Sequence, residues 1–325
     1  MGGAALSTRT RASQAARGWV ALGLCVATAL GAWAQPGASS RESDMEWAIL
    51  QGKAGRYDAG LAALQPHLVR DPGAAKAWYV AGFLLKERFK AAGSPGLDVS
   101  APAAKDRQEA VTHIQAALDL AEQGRTNVPW QGSAQSALSY LAGTYHDDVV
   151  VAVRSFDPAQ HDAIVQGFET YVTTMQFLRP GFDPRGERAE LHKNLARAYR
   201  QLFEASGDQG HFEGVVREYG LALELSPEDL TAWYNLAVNL YNRGVAVLKT
   251  IDHTTTFWEL NEKQEVCLAY FKRALEPLEQ AYLLQPTRPE TLKGLMTVHH
   301  RLDHAGEFER YRDELEQTLQ NGGKR

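Results

Sequence analysis

The chain has 325 residues, 44% of them apolar and 9% aromatic, which suffices for a packed core and excludes global disorder. Its formal net charge is −5, with 34 Lys and Arg against 39 Asp and Glu, so the composition carries no basic footprint for nucleic acid.

The N-terminal 34 residues differ from the rest. Arg9, Arg11 and Arg17 precede the charge-free run "GWVALGLCVATALGAWA", residues 18–34, which ends on the small residues Ala32 and Ala34 around Trp33. This pattern predicts a secretory signal peptide cut before Gln35. The alternative is an uncleaved membrane anchor, for which the run sits at the short edge of the ~17–25 residues a spanning helix needs. A lipoprotein signal is disfavoured because Leu24, not a small residue, precedes Cys25, and no Arg pair suggests twin-arginine export. Removing residues 1–34, which hold three Arg and no acid, takes the net charge from −5 to −8. The mature chain then holds one cysteine, Cys267, and no internal disulfide, although the compartment implied is oxidising. Cys267 lies in the helical pattern "EVCLAYFKRAL", where a buried apolar role is expected.

After a short linker, 35–42, six helical hairpins are predicted in chain order, at about 43–74, 75–124, 133–180, 188–228, 229–287 and 290–320, with 321–325 as a tail. Their first helices share large and small residues at fixed steps. These are Trp78, Ala81, Gly82 and Leu85; Leu138, Leu141, Ala142 and Tyr145; Leu191, Leu195, Ala196 and Tyr199; Trp233, Leu236, Ala237 and Leu240; and, less regularly, Leu295, Val298, His299 and Leu302. Second helices carry Gly60 and Leu64; Ala110, Ile114 and Ala117; Gly167 and Tyr171; Val215, Tyr219 and Ala222; and Ala274, Leu278 and Ala281. Pro72, Pro180, Pro227 and Pro286 close four of the units, since proline cannot continue a helix. Large residues three or four apart make one stripe, small ones on it admit a neighbouring helix closely, and one hairpin cannot bury both faces, so units must stack.

These marks resemble the tetratricopeptide repeat (TPR) family over nearly the whole mature chain, most specifically at 207–244 and 271–308. The resemblance implies an all-α, right-handed α-solenoid of about six helix-turn-helix repeats. The segment from "YNRGV" to "RALEPLEQAYLLQPTRPETL" also resembles a group of bacterial cell-envelope TPR proteins with the same long insertion, whose activity is unsettled. One departure stands out. The outer units keep a nine-residue step between helix marks, Gln51 to Gly60 and Leu302 to Tyr311. The inner four, Leu85 to Ala110, Tyr145 to Gly167, Tyr199 to Val215 and Leu240 to Ala274, are all longer, at the turn inside the hairpin. The added sequence is mostly periodic, so elongated helices with short tips are expected, apart from a true loop at 91–104. That edge would carry Phe89, Val149, Val153, Phe156, Phe203, Ile251, Phe257 and Trp258, as an extension of the core or as an apolar docking strip.

No strong catalytic motif is present, neither a phosphate loop nor G-x-S-x-G nor H-E-x-x-H, and no cofactor is implied. "HHRLDH" would put His300 and His304 four apart on one helix face, a spacing that can bind a divalent metal, but no further ligand is evident nearby. In "YHDD", Tyr145 to Asp148, adjacent side chains point apart, so convergence is not expected. By the family resemblance, a peptide would lie on the inner face of the first helices, at Lys193, Arg197, Arg200, Tyr234, Asn235, Tyr241 and Lys293. That set is basic and aromatic, suited to an anionic or C-terminal peptide, and partly resembles the carboxylate clamp of some co-chaperones. The expectation is thus a non-catalytic protein or peptide scaffold of the bacterial periplasm or cell envelope. It has no nucleic-acid partner and touches membrane only through an uncleaved signal. The alternatives are a metal-binding or enzymatic protein using the His-rich last repeat, and a self-assembling structural protein.

Overall fold

The computed structural model describes residues 41–124 and 127–322. The signal segment 1–34, linker residues 35–40 and tail residues 323–325 lie outside the described residues. One compact unit comprises 45–325; of the other, 1–44, only the start of the first helix is described.

Twelve α-helices and one 3-10 turn, and no strand, occur among the described residues. They are α1 (Arg41–Lys53), α2 (Tyr57–Arg70), α3 (Ala75–Ala92), α4 (Pro102–Gln123), α5 (Gln131–Arg154), α6 (His161–Leu178), α7 (Arg185–Ser206), α8 (Gln209–Leu225), α9 (Leu230–Leu248), α10 (Phe257–Leu284), α11 (Pro289–Arg301) and α12 (Ala305–Gly322). From α3 onward, the helices in most extensive contact are the two members of one hairpin; second helices then pack on the next first helix, α2 on α3, α4 on α5, α8 on α9 and α10 on α11, while α6 and α7 meet through side chains. First helices also touch in succession, α3 on α5, α5 on α7 and α9 on α11. This is the all-α stack of hairpins that the spacing predicts.

Cores form at the seams. Ala48, Leu64, Val80 and Leu84 join α1, α2 and α3. Leu85, Phe89, Ile114, Leu138 and Leu141 join α3, α4 and α5. Ile164, Phe168 and Leu195 do so for α6 and α7, and the largest cluster runs from Tyr199 through Phe271 to Tyr311. A repeated detail confirms equivalence of units: the indole N–H of Trp78 donates to the Pro72 carbonyl at 2.9 Å, and that of Trp233 to the Pro227 carbonyl at 2.8 Å. Each bond ties the first turn of a hairpin to the residue that ended the previous one.

The lengthened hairpins are built as expected, from long helices with short tips. α5 has 24 residues and α10 has 28. The α7–α8 tip needs only residues 207–208, because Gly207 adopts a left-handed φ of 71° and Asp208 caps α8 through the Gly210 N–H at 2.8 Å. α10 opens with a reciprocal capping box between Thr256 and Glu259. The loop at the α3–α4 tip is 93–101, shorter than the sequence suggests, because α3 runs on to Ala92 and α4 starts at Pro102.

Small residues mark the close approaches. A Cβ on Gly82 would stand 2.6 Å from the Ile114 side chain and 3.1 Å from the Ile114 backbone nitrogen, whereas a Cβ on Gly220 would meet nothing within 4 Å. Gly82→Ala is therefore expected to destabilise the chain by about 1–3 kcal/mol, and Gly220→Ala to stabilise it by about 1 kcal/mol, as read by urea denaturation. A stabilising Gly82→Ala would contradict the α3–α4 packing.

Most of the apolar edge extends the core. Phe89 and Val149 are buried, and Val153, Phe156, Phe203 and Ile251 half-buried. Only Phe257 and Trp258 are exposed, at the start of α10. Cys267 is buried; burial pushes its thiol up, away from the reactive thiolate.

Candidate functional site

A cleft of about 680 Å³ opens between the first helices of the third and fourth hairpins. Stacking explains its position: α5 and α7 make one of the slighter contacts in the array, and the second helix α6 lies between them as a floor. From α5 come Val149, Val150 and Val153, and from α6 Phe168 and Tyr171; α7 adds Leu191. These are apolar walls, and Val149, Phe168 and Leu191 are also members of the seam core beneath. His146 and Arg154 stand on the α5 side, and Asp183, Glu187, Glu190 and Asn194 on the α7 side.

Each polar group has defined neighbours. The His146 ring lies 5.2 Å from that of Tyr171. Burial, together with a hydrogen bond to Glu187, pushes the Tyr171 hydroxyl up from its usual value. Asp183 pairs with Arg185 at 2.7 Å. Glu190 pairs with Lys193 at 2.6 Å, and the same ammonium meets Asp229 at 2.5 Å. Asp229 also caps α9 through the Ala232 N–H at 2.9 Å. Burial works against the Lys193 charge, but the bonds to Asp229 and Glu190 outweigh it and hold the lysine above its ordinary pKa.

The residues expected to hold a partner are dispersed across this face. Lys193 is buried, and its ammonium ties α7 to the cap of α9. Arg197 is exposed one turn from the cleft, its guanidinium donating to Asn194 at 2.8 Å. Arg200 is exposed near Glu204, and Lys293 is exposed on α11. Tyr234 is half-buried under the Arg288 guanidinium, 4.4 Å from its ring. Asn235 is half-buried, with a side-chain hydrogen bond to Tyr219, and Tyr241 packs its ring 5.3 Å from Phe271. Arg197 and, through Asn194 and Glu190, Lys193 border the cleft; Tyr241 belongs to the seam of the fifth hairpin.

The predicted pairing of His300 and His304 on one helix face does not form. α11 ends at Arg301, and Asp303 takes a left-handed φ of 57°, so His304 lies beyond the helix. Its ring instead meets His299, Nδ1 to Nδ1 at 3.1 Å, while His300 faces Phe308 at 5.3 Å. His299 stacks on Tyr311, and burial, then His304, lowers its pKa. Among the described residues no group of three or more His, Cys, Asp and Glu side chains is placed to hold a metal ion.

Two clusters escaped sequence reasoning. In "YHDD", Tyr145 and Asp148 do converge, one turn apart, on Arg107 of α4: the guanidinium lies 3.8 Å from the Tyr145 ring and 2.6 Å from the Asp148 carboxylate. The only available signal was the three-residue step between them, which shares a helix face. The second is Glu218, fully buried among His161, His192 and Arg217.

No protein-family model matches this chain, and no curated protein does. Solved structures do. A monomeric mutant of IFIT1, solved with Gppp-AAAA, aligns at 13% identity and a TM-score of 0.31 over 86% of this chain, which spans half of that one. Nro1, a nuclear import adaptor of S. pombe, aligns at 15% identity and 0.33, over 86% of this chain and 92% of that one. YrrB, described as a TPR protein with an unusual peptide-binding site, aligns at 16% identity and 0.23, over 78% and 91%. Such loose overlaps carry no argument, and the fold stands on the hairpins themselves. By those hairpins, the chain has a tetratricopeptide-like fold.

Proposed function

We propose that this chain is a non-catalytic scaffold that holds a protein or peptide partner on the face made by its first helices, anchored in the cleft between α5 and α7. The observation that carries the reading is the cleft itself: a space of about 680 Å³ in which apolar side chains from three helices meet polar and charged groups of α5 and α7, the usual form of a binding site. Arg197 and Arg200 on α7 and Lys293 on α11 extend the face as exposed charges on the α7 side. The assignment to the bacterial periplasm or cell envelope rests on Arg9, Arg11, Arg17 and the charge-free run to Ala34; N-terminal sequencing of the exported chain should begin at Gln35.

A photo-crosslinking residue placed at Val150 or Asn194 should yield a discrete adduct in cells, and one at exposed Gln264 on α10 should not. Val150→Arg puts a charge on the α5 wall and should erase the Asn194 adduct. Equal labelling from all three positions, or an adduct that survives Val150→Arg, would refute the assignment.

A further inference from the structure

The rim of the cleft says what kind of segment it takes. Three of the four charged rim groups other than His146 are carboxylates, all on the α7 side: Asp183, Glu187 and Glu190. Their compensation is incomplete. Arg185 answers Asp183 outside the cleft. Lys193 is divided between Glu190 and Asp229. Glu187 has the neutral Tyr171 hydroxyl as its bonded partner in the cleft. Arg154, at the far wall, is the one guanidinium lining the cavity. A negative wall beside an apolar lining repels an anionic segment and attracts a cationic one, the more so as the contact sheds water.

Resting on the scaffold reading, we infer that the cleft binds an extended peptide segment in which an aliphatic side chain is followed or preceded, within two residues, by Lys or Arg. The aliphatic group fills the space over Val149, Val150 and Leu191, and the cation sits against Glu187 and Glu190. The limit follows from the geometry of extended chain: at about 3.3 Å per residue, a cation within two residues stays within about 7 Å of the anchor along the strand, and one two residues away also lies on the same side. The Arg185 guanidinium and backbone N–H hold the Asp183 carboxyl below its usual range, so that charge persists without a ligand. The wall is set before the partner arrives.

The test is selection of a phage-displayed random peptide library on the immobilised protein, with Val150→Arg protein as the subtraction. Enriched sequences should pair Leu, Ile, Val or Met with Lys or Arg inside two positions. A synthetic peptide of the leading sequence should bind about tenfold more weakly to the Glu187→Gln/Glu190→Gln variant, and more weakly in salt for the wild type. Both variant positions are exposed, so folding should survive, and circular dichroism checks it. Enrichment of acidic sequences, no charge preference, no enrichment, or equal affinity for the double variant would each overturn the inference. The crosslinking experiment reports separately: adducts from Val150 with the wrong peptide chemistry would leave the scaffold standing and remove only the cationic partner.

Discussion

Asp148→Ala is expected to lower folding stability by about 3–5 kcal/mol, because it strands a buried guanidinium. Arg107 is 2% exposed, one of the most enclosed large side chains in the molecule. Its Nη1 donates to Asp148 at 2.6 Å and its Nη2 to the Gly96 carbonyl at 2.9 Å, while its plane faces Tyr145. Its Nε has no partner among the described residues, and Asp148 is the one carboxylate among them that answers its charge. Asp148 also accepts from Ser94 at 2.8 Å, so the same carboxylate secures the 93–101 loop. The pair therefore clamps α4, α5 and the loop across the seam between the second and third hairpins. The double variant Arg107→Met/Asp148→Ala should recover much of the loss, since a paired charge replaced by apolar groups is near neutral. Urea denaturation gives both numbers; a loss below about 1 kcal/mol for Asp148→Ala would mean that water reaches the guanidinium.

Glu218→Gln should also be costly, about 1–3 kcal/mol at neutral pH. The carboxylate is fully buried and accepts from His192 Nδ1 at 2.8 Å, His161 Nε2 at 3.0 Å and Arg217 Nε at 3.0 Å. An amide of the same size offers one acceptor oxygen in place of two and turns its own N–H groups toward donors. Burial alone would raise the Glu218 pKa, but the hydrogen bonds from His192 and Arg217 and the neighbouring charges outweigh it, leaving the carboxyl below its ordinary 4.5. A carboxyl held low in the folded state gives stability that is fully present above about pH 4.5 and fades as the pH falls toward the folded value. The gap between wild type and Glu218→Gln should accordingly narrow below pH 4.5. A gap that widened below pH 4.5 would contradict this arrangement.

The hairpins were legible because stacking imposes a local grammar. Trp78 has to reach Pro72, six residues back, and Gly82, which has to be small against Ile114, sits at a fixed step from Trp78 and Leu85 on its own helix. The lengthened helices were legible for the same reason: the periodic run "ELNEKQEVCLAYF", residues 259–271, holds no Gly or Pro and leaves little alternative to helix. The cleft was not legible. It depends on how far α5 and α7 stand apart, a distance set by packing beneath them and written at no single position. Arg107 and Asp148 lie 41 residues apart, and in the sequence each is one more charged residue on a helix. Lys193 read as part of a basic face because Asp229, which engages it, is 36 residues away on the next unit's cap. His304 failed for a local reason: "RLDH" gives no sign of the left-handed turn at Asp303 that stops the helix.

The tips of the four lengthened hairpins are not equivalent as places to splice in new sequence. The 93–101 tip is laced to the body by the Gly96 carbonyl and by Leu97, which lies where a Cβ on Gly167 would be. A reporter inserted there would unpick two seams at once. The 249–256 tip holds itself together through Asp252 and the threonines after it, with an exposed crest at His253 and Thr254. A fluorescent domain grafted at that crest would ride on the molecule without disturbing either the stack or the cleft two hairpins away, which makes it the natural handle for watching a partner arrive.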